Sequence, residues 1–323
     1  MSGLVQFVVD AFNTAHGWIF QTVVEPALYA LGQGGILEQA YDGTEFFLLG
    51  AIQIVVVYAI LRPLEAWLPA ERWPDRRAVR VDVLYTLLHR LGLFSLVLFF
   101  FLDPLFDQLA ASLRLGGFSA FNLDDVWPGV TSIPLVAFCC YLVVLDFANY
   151  WIHRLQHRWN WWWGLHSLHH SQRQMSLWAD DRNHLLDDLL RDALFAFLAV
   201  AIGVQPGQFV LLLLATRCLE SLQHANVRLS FGRVGEWLLV SPRFHRRHHA
   251  IGDGHEGADR GCNFAVLFPI WDRLFGTANR EVGYPATGIR DQLPDTPGGA
   301  RDYGRGFWAQ QWLGLRRMVG VRG

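Results

Sequence analysis

Apolar runs of near-bilayer length recur along this chain, and arginines gather at one side of them. Residues 4–31 are apolar but interrupted by Asp10, Asn13, His16 and Glu25, which suits an amphipathic or partly inserted helix. Phe46–Leu61 is a stronger run, ended by Arg62 and Pro63. Val81–Phe101 follows, with Asp82, His89 and Arg90 in its first half. Val130–Ile152 carries Asp146 and Asn149 in its last third. Leu189–Val204 and Phe209–Leu222 are joined by the Pro/Gly turn Gly203–Gly207, which predicts a helical hairpin. A spanning helix needs about 20 apolar residues, so each run is marginal alone. Composition favours a bilayer over a larger soluble core. Hydrophobic residues make up 52% and charged residues 17%, against about 25% charged in soluble domains. The same charge deficit excludes a disordered chain.

Arginine placement predicts an orientation. The chain has no Lys, so Arg carries all the fixed positive charge. Arg62, Arg72, Arg76, Arg77 and Arg80 separate the second and third runs. Arg154, Arg158, Arg173 and Arg182 follow the fourth, and Arg228, Arg233, Arg243, Arg246 and Arg247 follow the last. The other loops are acidic, at Glu38, Asp42 and Glu45 and at Asp103, Asp107, Asp124 and Asp125. The positive-inside rule puts the arginine-rich segments in the cytoplasm, here of a bacterial inner membrane. The parity closes if 45–61 runs inward, 81–101 outward, 130–152 inward, and 189–222 dips in and returns. Residues 1–31 lack a basic start and a small-residue cleavage site, so they do not read as a cleaved signal. A net charge of −2 argues against nucleic acid as a partner. Four Cys without a CxxC motif argue against a disulfide framework and a thiolate zinc site. The expected organisation is an amphipathic segment over 1–44, a membrane and catalytic domain over 45–278, and a polar tail over 279–323. In that tail Phe307, Trp308, Trp312 and Leu313 predict a short interfacial helix.

The histidines are clustered. The boxes are His153-Arg-Leu-Gln-His157, His166-Ser-Leu-His169-His170 and His245-Arg-Arg-His248-His249, with His184 and His224 between the second and third. Histidines four apart share a helix face. In H-x-x-H-H the rings at the first, fourth and fifth positions are expected to converge on one point. Asp146, Tyr150, His153 and His157 are spaced 4, 3 and 4, a single stripe. An Asp in an apolar helix is costly unless it is paired or functional. On this stripe it is expected to hold an imidazole N–H and fix the tautomer of a ligand. Eight boxed imidazoles without a metal would repel one another as they protonate. They also exceed the four positions of one zinc, so two ions are the natural count. Imidazole alone leaves Zn, Fe, Cu and Ni open.

The series Asp146-x3-Tyr150-x2-His153-Arg154-x2-His157, then two HxxHH boxes, resembles the fatty acid hydroxylase/sterol desaturase superfamily. The resemblance continues in Gln223-His224-Ala-Asn226-x-Arg228, in Asn263-Phe264 and in Trp271-Asp-Arg-Leu-Phe-Gly-Thr277. It covers roughly residues 80–278. It implies an all-α integral-membrane helical bundle, whose cytosolic histidine-rich helical cap holds a di-metal site. It also implies two non-haem iron ions, O2 as co-substrate, and hydroxylation or desaturation of a membrane lipid such as a fatty acyl chain or sterol. The implied metal ligands are His153, His157, His166, His169, His170, His245, His248 and His249, with His224 and then His184 as further candidates. Asp146, Tyr150 and Asn226 are the candidate catalytic residues. The chain departs from the family's His-Pro-x-Glu at His184-Leu-Leu-Asp187. It also lacks the His-Pro-Gly-Gly of a fused cytochrome b5 domain, so electrons are expected from a separate ferredoxin, cytochrome b5-like protein or flavin reductase. Two rivals fit less well. A metal transporter would want its ligands near the midplane, whereas these lie past the helix ends. A membrane-anchored zinc hydrolase would want an HExxH-type base, which is absent.

Overall fold

A computed structural model describes residues 3–73, 75–94, 132–202, 206–296 and 299–320, with a few isolated positions between 108 and 129. The far end of the Val81–Phe101 run, Asp103, Asp107, Asp124 and the first three residues of the Gly203–Gly207 turn lie outside the described residues. The helices are α1 (Gly3–Ile19), α2 (Glu25–Ala30), α3 (Leu37–Trp67), α4 (Arg80–Arg90), α5 (Pro134–Arg158) and α6 (Asn160–His170). They continue as α7 (Leu185–Ala201), α8 (Pro206–His224), α9 (Gly232–Leu238), α10 (Pro242–His248), α11 (Ile270–Leu274) and α12 (Phe307–Met318). No strand forms among the described residues; two isolated bridges, Pro69 to Val227 and Ala250 to Thr287, are the extent of β pairing. The architecture is all-helical, as the sequence predicts.

The chain divides into two units, one of residues 1–56 and 87–105, the other of 57–86 and 106–323. In the first unit His16 of α1 is buried; its Nε2 donates to the Tyr41 carbonyl at 3.0 Å and its ring lies 4.2 Å from that of Tyr41. The imidazole is thereby used in packing.

The second unit carries all the histidine boxes. Its spine is α5. Pro134 starts this helix where a missing N–H costs nothing. His157 and Arg158 end it, where positive charge suits the helix dipole. The buried residues Ala137, Tyr141, Leu145, Asp146, Tyr150, His153, Gln156 and His157 form one face at helical spacing. The apolar half of this face meets Leu212 of α8 and Phe195 and Leu198 of α7. Burial of each such large side chain contributes about 1.5–3 kcal/mol. The opposite surface exposes Leu135, Val143, Val144 and Phe147, and α3 exposes Ile52, Val55, Val56 and Ile60. Rows of large exposed apolar side chains on each helix are unfavourable in water and suit lipid. Gly34–Trp67 and Pro134–Arg158 are the two stretches among the described residues long and apolar enough to cross a membrane.

At Trp159 the backbone becomes extended, with φ −89° and ψ 119°, so α6 leaves α5 at an angle and brings the second box alongside the first. The tail segment over Phe307–Met318 is helical, α12, and it lies against α6. Contact there is close at Gly164, where an added Cβ would stand 2.5 Å from the backbone nitrogen of Met318. Phe307 is buried, while Trp308 and Trp312 stay exposed.

Candidate metal centre

Nine imidazoles meet inside the second unit in two groups. His153, His157, His166, His170 and His248 form one; His169, His224, His245 and His249 form the other. Within each group the candidate ligand nitrogens all lie within 4.8 Å of one another, and every ring is buried. His157 Nε2 is 3.1 Å from His170 Nε2, which is 3.2 Å from His166 Nε2. In the second group His224 Nε2 is 3.1 Å from His169 Nε2 and 3.0 Å from His245 Nε2, which is 3.1 Å from His249 Nε2.

The grouping departs from a single convergence point within each H-x-x-H-H box. The residues four apart, His166 with His170 and His245 with His249, stay together. The middle members, His169 and His248, each cross to the other group. At about 100° per residue, positions four apart differ by about 40°, whereas the third and fourth steps differ by about 100°. Such a box therefore points two rings one way and one ring another, and two such boxes interlock into two sites.

Five of the nine inward Nε2 atoms are presented by what holds the outer nitrogen. His153 donates Nδ1–H to Phe264 O at 2.8 Å, His157 to Arg260 O at 3.1 Å, and His248 to Cys262 O at 2.7 Å. His224 donates to Glu220 O at 2.8 Å, one helical turn back, and His166 to Asp187 Oδ2 at 3.0 Å. A carbonyl or carboxylate oxygen needs a donor, so in these five rings the proton sits on Nδ1 and the lone pair on Nε2, facing the group. Burial, reinforced by neighbouring imidazoles, pushes His169, His170, His245, His248 and His249 well below the usual imidazole range. They are neutral near pH 7, which is the form that binds metal. Nε2 atoms that converge at about 3 Å need either a proton shared between them or a cation to hold them together. The donor set thus fits two metal ions held by nitrogen alone.

Two buried carboxylates set the loop that carries the carbonyls. Asp272 accepts from the Phe264 and Ala265 N–H groups at 2.8 and 2.9 Å and from the Thr277 hydroxyl at 2.7 Å. Asp146 accepts from the Leu267 and Phe268 N–H groups at 2.9 and 3.0 Å and from the Trp271 indole at 2.8 Å. The hydrogen bonds of Asp146 go to this loop and to Trp271 of α11, and none goes to an imidazole, which corrects the expectation that it holds a ligand ring directly. It reaches His153 only through the loop that supplies Phe264 O. The carboxylate on an imidazole is Asp187, which also accepts from Trp162 Nε1 at 2.6 Å and Gln156 Nε2 at 2.7 Å. Sequence reasoning met Asp187 only as a departure from a family motif. Its separation of 21 residues from His166 crosses a helix break and a loop, which no periodicity reveals.

The other expected residues are placed as follows. The Tyr150 hydroxyl is 3.0 Å from Thr277 Oγ1 and accepts from Arg154 at 3.3 Å. Asn226 pairs with the backbone of Glu71, accepting at 3.0 Å and donating at 2.8 Å. His184 is not brought to either group: its Nε2 donates to Gln311 O at 2.8 Å and its Nδ1 accepts from Leu186 N–H at 3.1 Å. It anchors α12, close against Gly314. His255, which has no motif partner, packs edge-on near the first group with its ring 4.6 Å from that of His170 and donates to Gly288 O at 3.0 Å.

Residues 138–277 match the family described as fatty acid hydroxylase. The matched stretch contains all nine grouped histidines. An ornithine lipid hydroxylase of Rhizobium tropici is 27% identical over 232 residues, 71% of this chain and 65% of that protein. The alkylglycerol monooxygenase of Homo sapiens is 30% identical over 149 residues, 44% of this chain and 31% of that one. A Delta(7)-sterol 5(6)-desaturase of Gibberella zeae is 25% identical over 189 residues, 55% of this chain and 53% of that one. The chain thus spans less than two thirds of the length of each of these relatives. No solved structure matches the chain.

Proposed function

We propose that this chain is a non-haem di-iron enzyme that uses O2 to hydroxylate or desaturate a C–H bond of a membrane lipid. The observation that carries the reading is the pair of buried groups of five and four imidazoles, with Nε2 atoms turned inward. Iron bound there would supply the redox chemistry by which O2, two electrons and two protons convert a C–H bond into an alcohol and water, or a CH2–CH2 unit into an alkene and two waters. The protein's own part is to hold and shield. Backbone carbonyls and Asp187 fix five of the nine tautomers, so those five rings are preset to accept a cation. Asp146 and Asp272 pin the 264–268 loop that covers the first group. The all-nitrogen shell and the exclusion of water keep the imidazoles neutral and protect reactive species from side reactions.

The apolar faces of α3 and α5 suit a multi-pass inner-membrane protein that draws its lipid from the bilayer. The arginine pattern supports a cytoplasmic position for the histidine groups, where a separate ferredoxin, cytochrome b5-like protein or flavin reductase can deliver electrons. Two measurements test the proposal. Metal analysis of the purified protein should give two ions per chain; a value near one with undiminished activity overturns the two-ion reading. Lipid profiles of cells with and without the gene should differ by a species that has gained one oxygen or lost two hydrogens. Identical profiles from an iron-loaded protein argue against lipid oxidation.

A further inference from the structure

Three indoles stack beside the first imidazole group. Trp159 and Trp161 are 45% and 42% exposed, while Trp162 is 3% exposed. The rings of Trp161 and Trp162 are 5.2 Å apart and within 9° of parallel. Trp159 lies 6.0 Å from Trp161 and 5.9 Å from Trp162, tilted by 26° and 27°. The buried ring then donates Nε1–H to Asp187 Oδ1 at 2.6 Å, and Asp187 Oδ2 accepts from His166 Nδ1 at 3.0 Å. A chain of ring contacts and short hydrogen bonds therefore runs from the surface to an inward-facing nitrogen. Membrane anchoring accounts for the two exposed rings. It does not call for a third ring that is buried, parallel to its neighbour and bonded to the carboxylate that fixes a candidate ligand.

We infer that this stack is the entry route for electrons: a one-electron carrier protein docks at Trp159 and Trp161, and its electrons reach the metal centre through Trp162, Asp187 and His166. The inference rests on the di-iron reading above. Each passage oxidises the carrier by one electron and reduces the centre by one. Two passages, with two protons, supply what O2 needs for one C–H oxidation. The entry is cationic. Arg158 and Arg260 are exposed beside the stack, with Arg260 Nη1 bonded to Arg158 O at 3.2 Å and to Asn160 Oδ1. The complementary carrier is acidic, as electrostatic steering favours.

The test uses the full chain, iron-loaded and oxidised, mixed without oxygen with a reduced acidic [2Fe–2S] ferredoxin whose re-oxidation is followed by absorbance. Trp161→Leu keeps an apolar anchor but removes the outer ring; Trp162→Phe keeps a ring but removes the N–H. Each should slow ferredoxin oxidation by about tenfold or more, the low end of the loss on removing a partner behind a ligand. Iron content and the extent of reduction by dithionite should stay at the parent's level in Trp161→Leu. Parent-like ferredoxin oxidation in both variants overturns the route and leaves the di-iron reading standing. A parent that dithionite reduces but ferredoxin does not removes the acidic carrier and its entry point. A parent that binds no iron refutes the reading and the route together.

Discussion

Replacing Asp187 by Asn should weaken one metal site and spare the other. The carboxylate accepts three hydrogen bonds, two on Oδ1 from Gln156 and Trp162 and one on Oδ2 from His166. An amide has one oxygen to offer. If its NH2 faces Gln156 and Trp162, two buried donors lose their acceptor, at about 1–3 kcal/mol each. If its NH2 faces His166, one bond is lost and His166 can change tautomer, so the second orientation wins. The proton of His166 then moves to Nε2, which stands 3.2 Å from His170 Nε2 inside the first group. A lone pair offered to metal becomes an N–H. Loss of such a partner costs about 10–100-fold in metal affinity, or roughly 1.4–2.7 kcal/mol at 1.36 kcal/mol per tenfold. Chelator competition on the loaded protein should turn from one release step into two, with the first ion leaving about 10–100-fold more readily. The four-imidazole group makes no hydrogen bond to Asp187 and should keep its ion. Parent-like retention of both ions in a folded Asp187→Asn protein would refute the tautomer argument.

Asp146→Asn should behave differently, because Asp146 binds the 267–268 backbone and Trp271 instead of an imidazole. About 1–3 kcal/mol of stability should be lost, seen as a lower unfolding temperature in detergent, while metal content per folded protein stays at two; a selective loss of metal would return Asp146 to the site. His184→Ala should leave metal stoichiometry unchanged and loosen α12, which limited proteolysis of residues 299–320 reads directly. Gly164→Ala drives a methyl into the Met318 backbone and should cost about 1–3 kcal/mol, with the same increase in cleavage; an unaltered digestion pattern would show that the two helices do not meet there.

How much of this was legible in the sequence follows from where each interaction lies along the chain. The stripe Asp146, Tyr150, His153, His157 is local to one helix, and it shares a buried face in the structure. The box spacings brought eight histidines together, and motif context added His224. What spacing could not supply was the partition into two groups. That depends on the break at Trp159 and on how α10 faces α6. His184 looks like a ligand in sequence because it sits between boxes. Only the tertiary position of Gln311, 127 residues away, shows its ring turned to another task. Likewise, the acceptors behind His153, His157 and His248 are main-chain carbonyls, and a carbonyl carries no residue identity to read. Asp146 is visible as a charge in an apolar helix, yet its bonds to a loop more than 120 residues away are not.

The interlocking of the boxes also orders how the centre is assembled in time. A ribosome makes residues 153–170 well before residues 224–249. At that stage the first group has His153, His157, His166 and His170, four of its five rings, whereas the second has His169 alone. An ion taken up early can settle only in the first place. The second comes into being when His224, His245 and His249 arrive together, and His248 closes the first in the same step. If ions bind while the chain is being made, the two halves of the centre would mature in sequence, and a nascent chain stalled between residues 171 and 223 would carry a first group lacking only His248 and a second with His169 alone.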